Sequence, residues 1–392
     1  MIRFLSLLLL LCLPVLALAE DPYEQAPIHY SSTKPKDAVQ ALERLMRLGK
    51  VRIDRSDGWS VLRGVLEKLK VPVESQVLVF SKTSKQNDRI SPQTPRAVYF
   101  NDNAYVGYSL GGSIEVAAID PLLGPVFYLL DPHEDEKRPL HFERDQSCLS
   151  CHGGSFTREV PGVLVRSVFP AATGHPILSQ GSTVVDTTTP FSDRWGGWYV
   201  TGKHGDSVHR GNVTAVEQPN DTCEMPVEEG ANITDLTAFV DVSDYPRQQS
   251  DIVALMVLEH QTSVQNVLTR SNHAALRAMH MQRSLQTELR ETVTEEPVGT
   301  ARRIIDHCAE DVVDALLFRE EAALPDGGIE GDEAFQTAFV KDAPRSADGR
   351  SLKDFQLLTR LFKHRCSYMI HSLTFQYLTP PLKQTVLARL KE

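Results

Sequence analysis

Cysteine is scarce in this chain of 392 residues: there are six, and one of them, Cys12, lies in an apolar run at the very start. The remaining five are too few for a disulfide-built scaffold, so the fold has to rest on real hydrophobic cores. Clusters of Lys and Arg are also missing. The charge balance is acidic, formally −10, which argues against binding a nucleic-acid backbone and favours a basic docking partner. Nothing repeats at a solenoid period, and no segment is of low complexity. Beyond residues 4–18, no apolar run approaches the length of a membrane span.

The chain opens on a leader. Arg3 is a short positive region, residues 4–18 are almost wholly apolar, and Ala17-Leu18-Ala19 is a small-residue cleavage site. Residues 1–19 are therefore expected to be a signal peptide. The mature chain would be soluble and periplasmic or otherwise exported, with no membrane span.

Pattern divides the rest into three stretches, an α+β organisation. Residues 20–75 hold two short helices, "DAVQALERLMRLG" and "GWSVLRGVLEKLK", each apolar at helical spacing. Residues 76–245 change period. "QVLVFSK", "RAVYFND", "AYVGYSL", "SIEVAAID" and "GPVFYLLD" read as strands divided by turn residues, and "GVLVRSVF", "STVVDTT" and "WGGWYVTGK" continue in the same manner. Residues 246–392 return to helix, led by a long Pro- and Gly-free segment from Asp251 to Leu289. Further helices are expected at "ARRIIDHCAEDVVDALLF", "SLKDFQLLTRLFKHRCSYMIHSL" and "PPLKQTVLARL", with "LPDGGIEGDEAF" a loop.

The chemistry concentrates in "SCLSCHGGSF", where Cys148, Cys151 and His152 spell C-x-x-C-H, the attachment signature of a c-type haem. Two thiols add across the haem vinyl groups, and the adjacent imidazole lies under the iron as its proximal ligand. Rival readings fit less well. A redox C-x-x-C needs no following histidine, and structural zinc needs a second ligand pair at matching spacing. One motif implies one haem c, with Cys148, Cys151 and His152 binding the cofactor and His152 binding iron. The motif lies inside β-rich sequence, in a short helical turn that Gly153-Gly154 should end.

The segments "VLVFSKTSKQNDRISPQTPRAVYFND", "CLSCH", "VPGVLVRSVFP", "RWGGWYVTGKHG", "GANITDL", "DIVALMVLEHQ" and "GRSLKDFQLLTRLFKHRCSYMI" resemble a family of exported bacterial cytochrome c domain-containing proteins. The resemblance covers most of the mature chain from about Gln76. It implies haem binding at Cys148, Cys151 and His152, and electron transfer with a redox partner protein or a small-molecule donor or acceptor. It implies no substrate.

The sixth iron position decides between an electron carrier and the alternatives, a peroxidase-like or small-molecule oxidase or a haem-based sensor. With 13 histidines and seven methionines, composition chooses nothing. On the long helix, His260 falls on the apolar face with Ile252, Met256 and Val264, while His273 and His280 project from the polar side with Glu259 and Asn266. His260 is therefore the first candidate for the second iron ligand, or else a core histidine bonded to a carboxylate or carbonyl. His204 and His209, after Trp195 and Trp198, come next. His133 and His141 are expected to face solvent, His175 is expected in a turn, and Met225 lies in an acidic loop. Cys308 and Cys366, both on expected helices, are either a bridge or two separate thiols, and Cys223 is left over.

Overall fold

The computed structural model describes residues 21–133, 139–219 and 222–392, so the expected leader lies outside the described residues. Helices α1 (Ala38–Arg47) and α2 (Gly58–Lys68) begin where an aspartate can cap them: Asp37 accepts from the Gln40 N–H, and Asp57 from the Ser60 N–H. Their apolar stripes, Val39 and Leu42 on α1 and Val61, Leu62, Val65 and Leu66 on α2, are buried.

Those stripes meet one face of a six-stranded antiparallel meander formed by β1 (Val77–Val79), β2 (Arg96–Asn101), β3 (Ala104–Tyr108), β4 (Ile114–Asp120), β5 (Gly124–Leu130) and β6 (Glu143–Arg144), paired in chain order. Register sorts the side chains into two rows. Tyr99, Val106, Val116 and Tyr128 stand opposite one another and face α1 and α2. Phe100, Tyr105, Ala117 and Phe127 form the row on the other face. Both faces are covered, which is why these strands read as almost continuous apolar runs.

After the sheet come a helical turn, α3 (Leu149–His152), and a hairpin of β7 (Val165–Val168) and β8 (Ser182–Val185). "WGGWYVTGK" is not a strand. It makes isolated bridges from Trp198 to Val79, Thr201 to Asp251 and Lys203 to Glu330. Trp195 (φ +66°), Gly197 (φ +89°) and Gly202 (φ +149°) turn the backbone out of the extended region between them.

The second sheet face is covered by α4 (Ile252–Glu288), a helix of 37 residues capped by Asp251. Packed between the sheet and the tail helices, it has little polar side. Glu259, Gln261, Gln265, Asn266 and His273 are all buried, and each has a hydrogen-bond partner. Behind it lie α5 (Gly299–Leu316), α6 (Glu333–Val340), α7 (Leu373–Gln376) and α8 (Pro380–Arg389).

Two tail expectations fail. The segment expected to be loop contains the start of α6, capped by Asp332. The helix expected over residues 351–373 is absent before a 3-10 turn at Tyr368–His371. There the Gln356 side-chain oxygen accepts from the N–H groups of Leu358, Thr359 and Arg360, and Leu357 sits at φ +56°. This tight turn brings the Phe355 and Phe362 rings into a stack 5.6 Å apart. Aromatic packing and a side-chain-capped turn thus outweigh helix propensity. Cys366 is accordingly not helical, and it and the buried Cys308 are both free thiols.

The fold is α+β: a helical lead-in, a β-rich middle and a largely helical tail.

Candidate functional site

The C-x-x-C-H sequence lies between β6 and β7, on a 3-10 turn (Gln146–Cys148) that runs into α3. Asp145 starts the turn by accepting from the Ser147 N–H at 2.9 Å, and is itself held by Lys85 at 2.7 Å. Spacing of three on a helical turn sets Cys148 and Cys151 on the same side. Gly153 ends it: a Cβ there would lie 2.9 Å from both the Leu149 carbonyl oxygen and the Tyr23 hydroxyl.

The two thiols differ in surroundings. Cys148 is half-buried against the core below α4, and burial, with Asp145 nearby, pushes its thiol up to about 12. Cys151 is exposed, and both are unpaired.

His152 is the most constrained member. Its Nδ1 donates to the Gly162 carbonyl at 2.9 Å, and the Gly162 N–H donates back to the His152 carbonyl at 2.8 Å. This reciprocal pair closes the loop after the motif. It assigns the proton to Nδ1, leaving Nε2 as the lone-pair nitrogen, which makes no hydrogen bond among the described residues. Burial lowers the ring's pKa and keeps it neutral at pH 7. The ring packs against Phe127 of β5, centroids 5.0 Å apart. Nearby on the same sheet face, Arg96 is paired with Glu115, which also accepts from Ser84 at 3.0 Å and Gln86 at 3.1 Å.

The donor set suits a haem. Two thiols on one side of a turn, followed by a neutral imidazole whose outer nitrogen is held by a carbonyl, present what the covalent and axial bonds require. Among the described residues no group of three or more His, Cys, Asp or Glu converges to hold a bare metal ion. A haem asks for no such group, because the porphyrin supplies four of the iron's ligands.

The other candidates lie elsewhere. His260 is buried, with Nε2 2.7 Å from the Ser367 hydroxyl and its ring stacked on Phe318 at 4.6 Å. Its ring also meets Phe362 and Tyr368, whereas the ring of His152 meets Phe127. His204 and His209 are buried together, rings 4.7 Å apart, against Phe191 and Trp195. His133, His141 and His175 are exposed, and Met225 is half-buried.

From α4, Asn266 reaches the loop that follows the motif. Its side-chain oxygen accepts from the Val163 N–H at 3.1 Å and its NH₂ donates to the Val163 carbonyl at 2.8 Å, directly beside Gly162. Only its place on the helix's polar side was visible in the sequence; that this side meets the loop was not.

No helix among the described residues is long and apolar enough to cross a membrane. Set against known protein families, curated proteins and solved structures, the chain has no match.

Proposed function

We propose that this protein is an exported monohaem c-type cytochrome, which holds one haem through Cys148 and Cys151, with His152 as proximal ligand, and passes electrons to or from a redox partner. The observation that supports this best is the His152–Gly162 pair, which leaves a neutral Nε2 free one residue from a thiol. The haem would supply a reversible one-electron couple. The chain's part is to hold the imidazole in one tautomer and one orientation.

The test is expression in a periplasm with a cytochrome c maturation system. The purified protein should gain the mass of one haem and keep it through denaturation and acid–acetone extraction. A colourless product of unmodified mass would end the reading. A reduced spectrum with and without carbon monoxide then separates a carrier from an oxidase or sensor: immediate carbon monoxide binding means an open sixth position.

His260 enters this reading as a core residue. Replacing it by alanine removes a buried hydrogen bond and a stacked ring, so His260→Ala should cost about 2–3 kcal/mol in urea unfolding. The visible spectrum of the haem-bearing protein should not change. Conversion from low-spin to high-spin in this variant would instead make His260 the sixth ligand.

A further inference from the structure

We propose that Asn266 is a positioning residue for the proximal ligand: by holding Val163 it fixes the Gly162 carbonyl that accepts from His152 Nδ1, and so sets the strength of the iron–imidazole bond. This rests on the haem reading above.

The geometry forms one chain of contacts. Asn266 stands on α4, a helix buried on both sides at this point, and is itself 4 % exposed. Its amide meets both polar groups of Val163, as a neighbouring strand would, at 3.1 and 2.8 Å. The preceding residue, Gly162, meets both backbone and ring of His152 at 2.8 and 2.9 Å. Gly162 has no room for a side chain: a Cβ would lie 2.5 Å from Asn266 Oδ1 and 2.8 Å from Thr157 Cβ. Thr157 is fully buried and tied to the Val160 carbonyl at 2.8 Å, so it cannot yield easily. Movement of α4 or of this loop is thereby passed to the ring's orientation and to its Nδ1–H bond. A strong bond at Nδ1 makes Nε2 a better donor and favours ferric iron, so loosening it favours the ferrous state.

A purely structural role would predict the same stability loss without any change at His152. Gln265→Ala supplies that comparison: Gln265 is equally buried on α4, but its amide goes to Thr374 at 2.7 Å and Thr269 at 3.1 Å. Two readouts decide. In the apoprotein, ¹⁵N NMR should show His152 wholly as the Nδ1–H tautomer in wild type and Gln265→Ala, and as a mixture with the Nε2–H form in Asn266→Ala and Gly162→Ala. In the haem-bearing protein, those two variants should raise the ratio of ferrous to ferric protein at a fixed potential about threefold, a midpoint ~28 mV higher at 59 mV per decade for one electron. Gln265→Ala should leave it unmoved. Should Asn266→Ala fail to fold, Gly162→Ala carries the same test from the other side of the contact. Wild type that carries haem, with tautomer and potential unmoved in both variants, would overturn the positioning role alone. Wild type that never takes up haem would overturn it together with the proposed function.

Discussion

Alanine at both Cys148 and Cys151 is expected to remove covalent haem entirely while leaving the fold standing. The two losses separate because the thiols contribute little to packing. Cys151 is exposed and Cys148 only half-buried, so the double variant should lie within about 1 kcal/mol of the unsubstituted apoprotein. A haem held by this motif, by contrast, would have no other covalent anchor in it. Intact mass and a haem stain after denaturing electrophoresis read the first quantity; thermal unfolding of apoproteins reads the second. A double variant that still carried haem through denaturation would place the attachment elsewhere. A variant that lost its fold would mean that Cys148 packs more tightly than its half-burial indicates.

A stability loss of about 3–5 kcal/mol is expected for Arg194→Ala. Arg194 is 2 % exposed and Glu259, on α4, is fully buried. The guanidinium meets Glu259 Oε1 and also donates to the Thr189 carbonyl at 2.7 and 2.9 Å, while Trp195 Nε1 donates to Glu259 Oε2 at 3.0 Å. Truncating the arginine leaves a carboxylate in the core with one neutral donor. Burial already pushes the Glu259 carboxyl up to about 7, against the pull of Arg194; without the arginine it rises further. Both proteins keep a proton that the unfolded chain releases from about pH 4.5 upward, so both lose stability up to the wild type's folded value near 7. Above it the wild-type carboxyl ionises, while the variant alone keeps its proton and goes on losing stability. Urea midpoints should therefore show a larger deficit at pH 8 than at pH 5. Arg194→Met combined with Glu259→Gln, which removes both charges, should recover most of it. An equal deficit at both pH values would mean that Glu259 stays ionised without its partner.

How far the chain could be read before its structure was known depended on the range of the forces involved. The long helix was bounded to within a residue at each end, because a continuous apolar period without Pro or Gly is a local property that Asp251 caps locally. Strands β1 to β5 were legible for the same reason, since short runs of Val, Ile, Tyr and Phe divided by turn residues are local signals; the two-residue β6 was not. Residues 351–367 were not, because their apolar spacing also suits an aromatic cluster folded round the Gln356 turn. Only contacts with Phe339 and Tyr368 settle the choice. The phase of α4 left its partners open for a different reason. Phase shows how residues lie around the helix's own axis, and a helix packed on two sides buries its polar residues as well as its apolar ones. His260 consequently found Ser367 and Phe318, while Asn266 found the loop beside the motif.

The candidate site divides along the same line. The amino-acid sequence by itself determined that two thiols and an imidazole share one short turn between strands, because residues three and four apart meet whenever a chain coils. Which nitrogen of His152 is left free was decided only by the tertiary structure. That choice depends on the Gly162 carbonyl, on the absence of a side chain at Gly162, and on Asn266 arriving from a helix on the far side of the sequence. A hydrogen bond needs its partners aligned to within a few tenths of an ångström, and no periodicity in the chain carries distance on that scale.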